Sequence, residues 1–160
     1  NKYCAELVGG NFRLDALQAA VLDVKLKYLD SWIQMRRKNA DKYNDLLRDL
    51  SIEKKIILPS ETENSFHTYN QYVIRIPVLR DKLKSYLKTS GIGSEIYYPL
   101  PAHLQPILSK WKEEIGCLIE SETAAMQALA IPIYPELTDE MQVEVSNAIH
   151  EFMLTYPILN

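Results

Sequence analysis

The run of residues 16–50 constrains this chain more than any other part of it, because it contains neither glycine nor proline and its apolar residues keep helical spacing. Leu17, Val21, Val24 and Tyr28 form one stripe, and Leu22, Leu26, Leu29 and Ile33 form a second. Two stripes predict a helix buried on more than one side at this end. Farther along, only Ala40, Tyr43, Leu47 and Leu50 continue a thin stripe. Asp15 reads as the N-cap, with Gln18 completing a capping box. An unbroken helix of about 35 residues is roughly 50 Å long, more than the width of a domain built from 160 residues. Either the helix breaks, or it reaches toward something beyond this chain.

The remaining text alternates short elements. "LPSETENSFHTY" reads as a loop, residues 72–76 as a strand, and residues 80–90 as an amphipathic helix carried by Leu83, Tyr86 and Leu87 and stopped by Gly91. Residues 92–98 read as a second strand, ended by Pro99 and Pro101. Ser121 reads as the cap of a helix reaching Leu129, residues 131–133 as an edge strand, and Thr138 as the cap of a last helix that buries Met141, Val145, Ile149 and Phe152. The sum is an α+β fold: a small, mostly antiparallel sheet of about three strands with flanking helices, hung on one long N-terminal helix. The chain divides into a leading segment 1–15, the long helix 16–50 and a small α+β domain 51–160.

Charge and composition exclude several classes. A net charge of −3 gives no footprint for nucleic acid or an anionic membrane. No apolar run approaches the ~18 residues of a membrane span, and no signal peptide is visible. Cys4 and Cys117 read as two free thiols in a reducing cytoplasm, with a single disulfide as the alternative. His67, His103 and His150 show no metal-ligand spacing with them, so no metal site is expected. There is no nucleophile elbow, P-loop or dinucleotide fingerprint. The chain opens on Asn1 and not on Met, which reads as a sequence beginning mid-protein.

Three places carry candidate chemistry. Gly9-Gly10-Asn11-Phe12-Arg13 stands directly before the first helix. Asn11 suits a loop position in the left-handed region. The same stretch also suits an anion: a helix N-terminus offers free N–H groups and a positive dipole end, Asn11 adds amide donors, and Arg13 adds a planar fork suited to phosphate. Tyr97 and Tyr98 are either two β-formers in a strand or phenols presented at its end, and as strand neighbours they point to opposite faces. His103 follows on the next loop, either incidental or facing a ligand.

In order, "GGNFRLDALQAAVLDVKLKYLDSWIQMRRKNADKY", "HTYNQYVIRI", "RDKLKSYLKTSGI", "YYPLPAHLQP" and "ALAIPIYPELTDE" resemble the C-terminal part of the DegT/DnrJ/EryC1/StrS sugar aminotransferases, over essentially the whole chain. The resemblance implies the C-terminal domain of a fold-type I enzyme that uses pyridoxal phosphate (PLP) to move an amino group, usually from glutamate, onto a nucleotide-linked keto sugar. It implies a homodimer formed through the N-terminal segment and first helix, with Asn11 reaching the PLP phosphate of the partner subunit. Arg13, Tyr97 and Tyr98 are implied to face the sugar nucleotide. His103 follows Ala102, where the family often has leucine, and is implied as a further substrate contact. The family's Schiff-base lysine lies upstream of this motif, so no catalytic residue is expected here, and the chain alone is expected to be inactive and to hold no PLP. Two other readings remain open: a sugar dehydratase of the same family, in which histidine replaces that lysine, and a stand-alone helical dimerisation module.

Overall fold

The computed structural model describes residues 3–10, 12–111, 114 and 116–156. The long helical run is broken into three: α1 (Ala16–Leu26), α2 (Leu29–Leu46) and α3 (Arg48–Ile52). Asp15 caps α1, its Oδ1 accepting from the Leu17 N–H at 2.8 Å. The first break needs no glycine or proline. The Ser31 hydroxyl donates to the Tyr28 carbonyl at 2.7 Å, and the Tyr28 N–H bonds back to Lys25 at 3.0 Å. A hydroxyl inserted into the helical ladder bends it.

No residue of α1 is buried, so both predicted stripes are uncovered along this helix, and only Ile33, at the far end of the second, is half-buried. Burial starts at Asn39, and the thin stripe of Ala40, Tyr43, Leu47 and Leu50 is where the helical run enters the core. Helix α1 thus projects from the domain, Arg36 and Arg37 of α2 touch the loop before β1, and the run from Asn39 on belongs to the core.

The sheet has two strands, β1 (Tyr72–Arg75) and β2 (Ala128–Ile131), paired antiparallel with Tyr72 opposite Ile131 and Arg75 opposite Ala128. One bridge extends it on each side, Ile57 to Arg75 and Glu95 to Ala130. The third strand expected over residues 92–98 is therefore reduced to Glu95. The Ile96 N–H, on the side away from β2, is taken by the Glu95 carboxylate at 2.9 Å. β2 is also displaced from the expected edge strand at 131–133. It starts at Ala128, ends before Pro132, and lies between β1 and Glu95. Pairing on both sides overrides the helix propensity of Ala-Leu-Ala.

Helix α4 (Arg80–Thr89) stops as the sequence predicts. Gly91 takes φ +77°, its N–H bonds the Lys88 carbonyl at 3.2 Å, and the Ile92 N–H bonds Leu87 at 2.8 Å, the paired closure of a Schellman turn. Helix α5 (Ile119–Gln127) begins earlier than expected, and Ser121 is not its cap. Helix α6 (Asp139–Thr155) is capped by Thr138, whose side chain accepts from Met141 at 3.3 Å. Met141 itself is exposed. Gln142 takes the buried position and donates to the Asn39 carbonyl at 2.7 Å, tying α6 to α2.

Tyr72, Ile74 and Ile76 alternate onto one face of the sheet and join Leu129, Leu83, Ile149 and Phe152 in a single core. On that face α6 packs against α2 and α4. Ala128 lies on the opposite face from Leu129, and its small side chain leaves a hollow there.

Candidate functional site

On the Ala128 face, between α5 and the loop after Glu95, is a pocket of about 410 Å³. Tyr97, Tyr98 and His103 all line it, with Leu108, Ala125 and Ala128 as apolar floor and wall. The structure thus brings together three of the residues predicted from sequence. The two tyrosines do not alternate across a sheet, because the strand has already ended. Both border the same pocket, joined by a cis peptide, with ring centroids 6.0 Å apart at 77°. Tyr97 is half-buried and Tyr98 is 62% exposed at the mouth. Among the described residues no hydrogen bond occupies either phenol.

His103 is the buried member. Pro101 leads into a single 3-10 turn, Ala102–Leu104, which turns the imidazole inward. Its Nε2 lies 3.0 Å from Oε1 of Glu122 on α5. The same carboxylate accepts from the Cys117 thiol at 3.4 Å and the Leu118 N–H at 3.3 Å. The hydrogen bond from His103, then that from Cys117, hold the Glu122 carboxyl below the usual carboxylate range. An ionised carboxylate only accepts, so the His103 Nε2 carries a proton and donates to it. Bonding to Glu122 also pushes the Cys117 thiol up. Both Cys4 and Cys117 are free.

Tyr3, Glu122 and Gln105 carry no signal that singles them out in the sequence. The Tyr3 ring meets Tyr98 edge-on at 5.8 Å. Gln105 stands in "HLQP" beside the histidine, but nothing in its spacing says what it binds. The role of Glu122 depends on where α5 packs.

Gly9, Gly10 and Arg13 do not line the tyrosine pocket. Asn11 lies outside the described residues. Arg13 is exposed. A Cβ on Gly10 would come within 2.9 Å of the Phe12 ring, whereas Gly9 faces open space. His67 is structural: its Nδ1 accepts from the Tyr69 N–H at 2.9 Å, and its carbonyl accepts from Arg37 at 2.7 Å.

PLP needs an amine to carry it and donors for its phosphate. No lysine or arginine lines the tyrosine pocket, so its walls do not fit that group on their own. They fit a neutral hydroxylated ligand, with apolar surface beside four polar side chains, Tyr97, Tyr98, His103 and Ser121. A larger groove of about 620 Å³ between α4 and α6 is lined by Asp139, Glu140, Glu144 and Glu151, the wrong sign for a nucleotide. Among the described residues no group of side chains is arranged to hold a metal ion, and no helix is long and apolar enough to cross a membrane.

This α+β arrangement matches that of solved aminotransferases. It superposes on the crystal structure of S. venezuelae DesV in complex with a ketimine intermediate with a TM-score of 0.81 at 33% identity, covering 100% of this chain and 41% of that one. The chain belongs to the DegT/DnrJ/EryC1/StrS aminotransferase family, whose sequence model matches residues 1–150. It is 43% identical over 151 residues to a protein of Geobacillus stearothermophilus named pleiotropic regulatory protein, covering 94% of this chain and 40% of that protein. It is 34% identical over 151 residues to the dTDP-3-amino-3,4,6-trideoxy-alpha-D-glucose transaminase of Streptomyces venezuelae, covering 94% of this chain and 39% of that enzyme. The chain therefore spans about 40% of the length of these relatives.

Proposed function

We propose that this chain is the C-terminal portion of a PLP-dependent aminotransferase that moves an amino group from glutamate onto a nucleotide-linked keto sugar. The pocket of Tyr97, Tyr98 and His103 carries this reading, because it offers polar groups to a sugar without supplying a group that would do the chemistry. PLP, when bound, serves as the electron sink through which nitrogen passes between donor and acceptor. The lysine that holds it, and the partners of its ring, belong to the part of the enzyme beyond residues 1–160, and the chain alone is inactive.

The residues present bind and orient. Tyr97 and Tyr98 supply phenol hydroxyls to the sugar ring. Glu122 fixes the imidazole so that His103 presents Nδ1 to a sugar hydroxyl. Arg13 meets the diphosphate, and Asn11 meets the cofactor phosphate of the partner subunit. The partner is a second copy, docked on the leading segment and α1. Support comes from the exposed Leu17, Leu22, Leu26 and Leu29 and from an apolar depression of about 520 Å³ on this helix. The two free thiols favour the cytoplasm.

Kinetics on the full-length enzyme with Tyr97→Phe and Tyr98→Phe test the pocket. Losing one neutral hydrogen bond costs about 0.5–1.5 kcal/mol, which raises the KM for the sugar nucleotide roughly two- to tenfold. An unchanged KM in both variants removes the pocket from the substrate site.

A further inference from the structure

Gln105 leaves the 3-10 turn in extended backbone, φ −64° and ψ 140°. Its side-chain amide then behaves like a peptide group in a ladder. Oε1 accepts from the Ala5 N–H at 2.8 Å, and Nε2 donates to the Tyr3 carbonyl at 3.1 Å and to the Leu100 carbonyl at 3.3 Å. The Ile107 N–H adds a bond to the Ala5 carbonyl at 3.0 Å, so both backbone groups of Ala5 are engaged. These contacts join residues 3–5 to a loop about a hundred positions later. They also seat the Tyr3 ring against Tyr98, whose phenol stands otherwise exposed at the pocket mouth. Glutamine suits this place because it carries a donor and an acceptor on one short planar group, whereas glutamate of the same length has no donor.

We propose that Gln105 is a positioning residue: its amide docks residues 3–5 so that Tyr3 holds the Tyr98 phenol in place, and through that contact it sets how the pocket grips a sugar nucleotide. The grip rests on the proposed function above, whereas the docking does not. Two measurements separate them. In this chain, 3-fluorotyrosine at position 98 gives a fluorine resonance that Gln105→Glu and Tyr3→Leu each shift and broaden. In the full-length enzyme, the same two substitutions each raise the KM for the sugar nucleotide about tenfold with kcat held within twofold. The double variant is no worse than the more severe single one, because both act through one contact. A fluorine resonance unmoved by Gln105→Glu overturns the docking. Additive effects in the double variant, or a moved resonance with an unchanged KM, overturn the positioning role. Tyr97→Phe, which leaves Gln105 and Tyr3 intact, then reports separately on whether the pocket is the sugar site at all.

Discussion

The imidazole of His103 and the carboxylate of Glu122 stand 3.0 Å apart, joining the loop after Glu95 to helix α5 across the floor of the pocket. Glu122→Ala removes the acceptor from a buried ring N–H and from the Leu118 N–H at the start of α5. Glu122→Gln keeps an oxygen there. The alanine variant is expected to melt below the glutamine variant in a thermal scan. In the full-length enzyme it is expected to raise the KM for the sugar nucleotide more than it lowers kcat. Equal melting midpoints count against a structural role for the pair, and a fall in kcat alone counts against an orienting one.

On the proposed reading, Asn11 and Arg13 divide the two anions between them. In the full-length enzyme Asn11→Ala is expected to weaken PLP retention by roughly ten- to a hundredfold, the loss of one hydrogen bond to a charged group. Added PLP restores most of the turnover. Arg13→Ala instead raises the KM for the sugar nucleotide while PLP stays bound. PLP titration and steady-state kinetics on both variants decide it. Normal PLP binding by Asn11→Ala, together with an unchanged KM in Arg13→Ala, leaves this stretch as a loop and a cap.

Arg37 reaches across from α2 to grip the loop before β1. It pairs with both Glu61 oxygens at 2.9 and 3.0 Å, donates to the His67 carbonyl, and lies over the Phe66 ring at 4.4 Å. Its hydrogen bond, then that of the His67 N–H, lowers the Glu61 pKa from 4.5 to about 2. A folded-state pKa below the unfolded one gives stability that is fully present above the unfolded value and lost as pH falls through the folded value. Urea midpoints of the wild-type chain are therefore expected to drop between pH 4.5 and about 2 more steeply than those of Glu61→Gln. Salt shrinks the difference, since the pair is partly exposed. Parallel slopes at low salt contradict the assignment.

Local rules reach some elements and not others. Asp15, Thr138 and Gly91 act through groups within a few residues, and the structure places each cap or stop where the spacing puts it. Tyr72 and Ile74 alternate as a half-buried strand must. Ala128–Ile131 misleads a local reading because its partners lie about 35 and 55 positions away, and four apolar residues carry no period that separates a buried strand from a helix end. Tyr97, Tyr98 and His103 are legible as residue types in a motif. That they share one pocket depends on Ala128 being small and facing them, and Glu122 enters only through the packing of α5.

Leu22 lies near the centre of the apolar surface on α1 and lines its depression. If a second copy covers this face, Leu22→Glu replaces a buried leucine worth about 1.5–3 kcal/mol, so the dimer dissociation constant rises at least about tenfold. Sedimentation equilibrium on the wild type and the variant measures it. A wild-type chain that stays monomeric at high concentration rejects the second copy as the occupant.

Helix α1 has 11 residues and none of them is buried. A helix of that length is marginal in water, because nucleation is costly and there are few ladder bonds to offset it. Whatever docks here must therefore also hold the helix formed. The measured affinity is then an intrinsic affinity multiplied by the fraction of chains already helical in this segment. Substitutions that touch no partner, such as a glycine on the outward face, weaken the complex by melting the free state. Recognition at this surface inherits the temperature dependence of a helix–coil transition and carries the heat-capacity change of coupled folding.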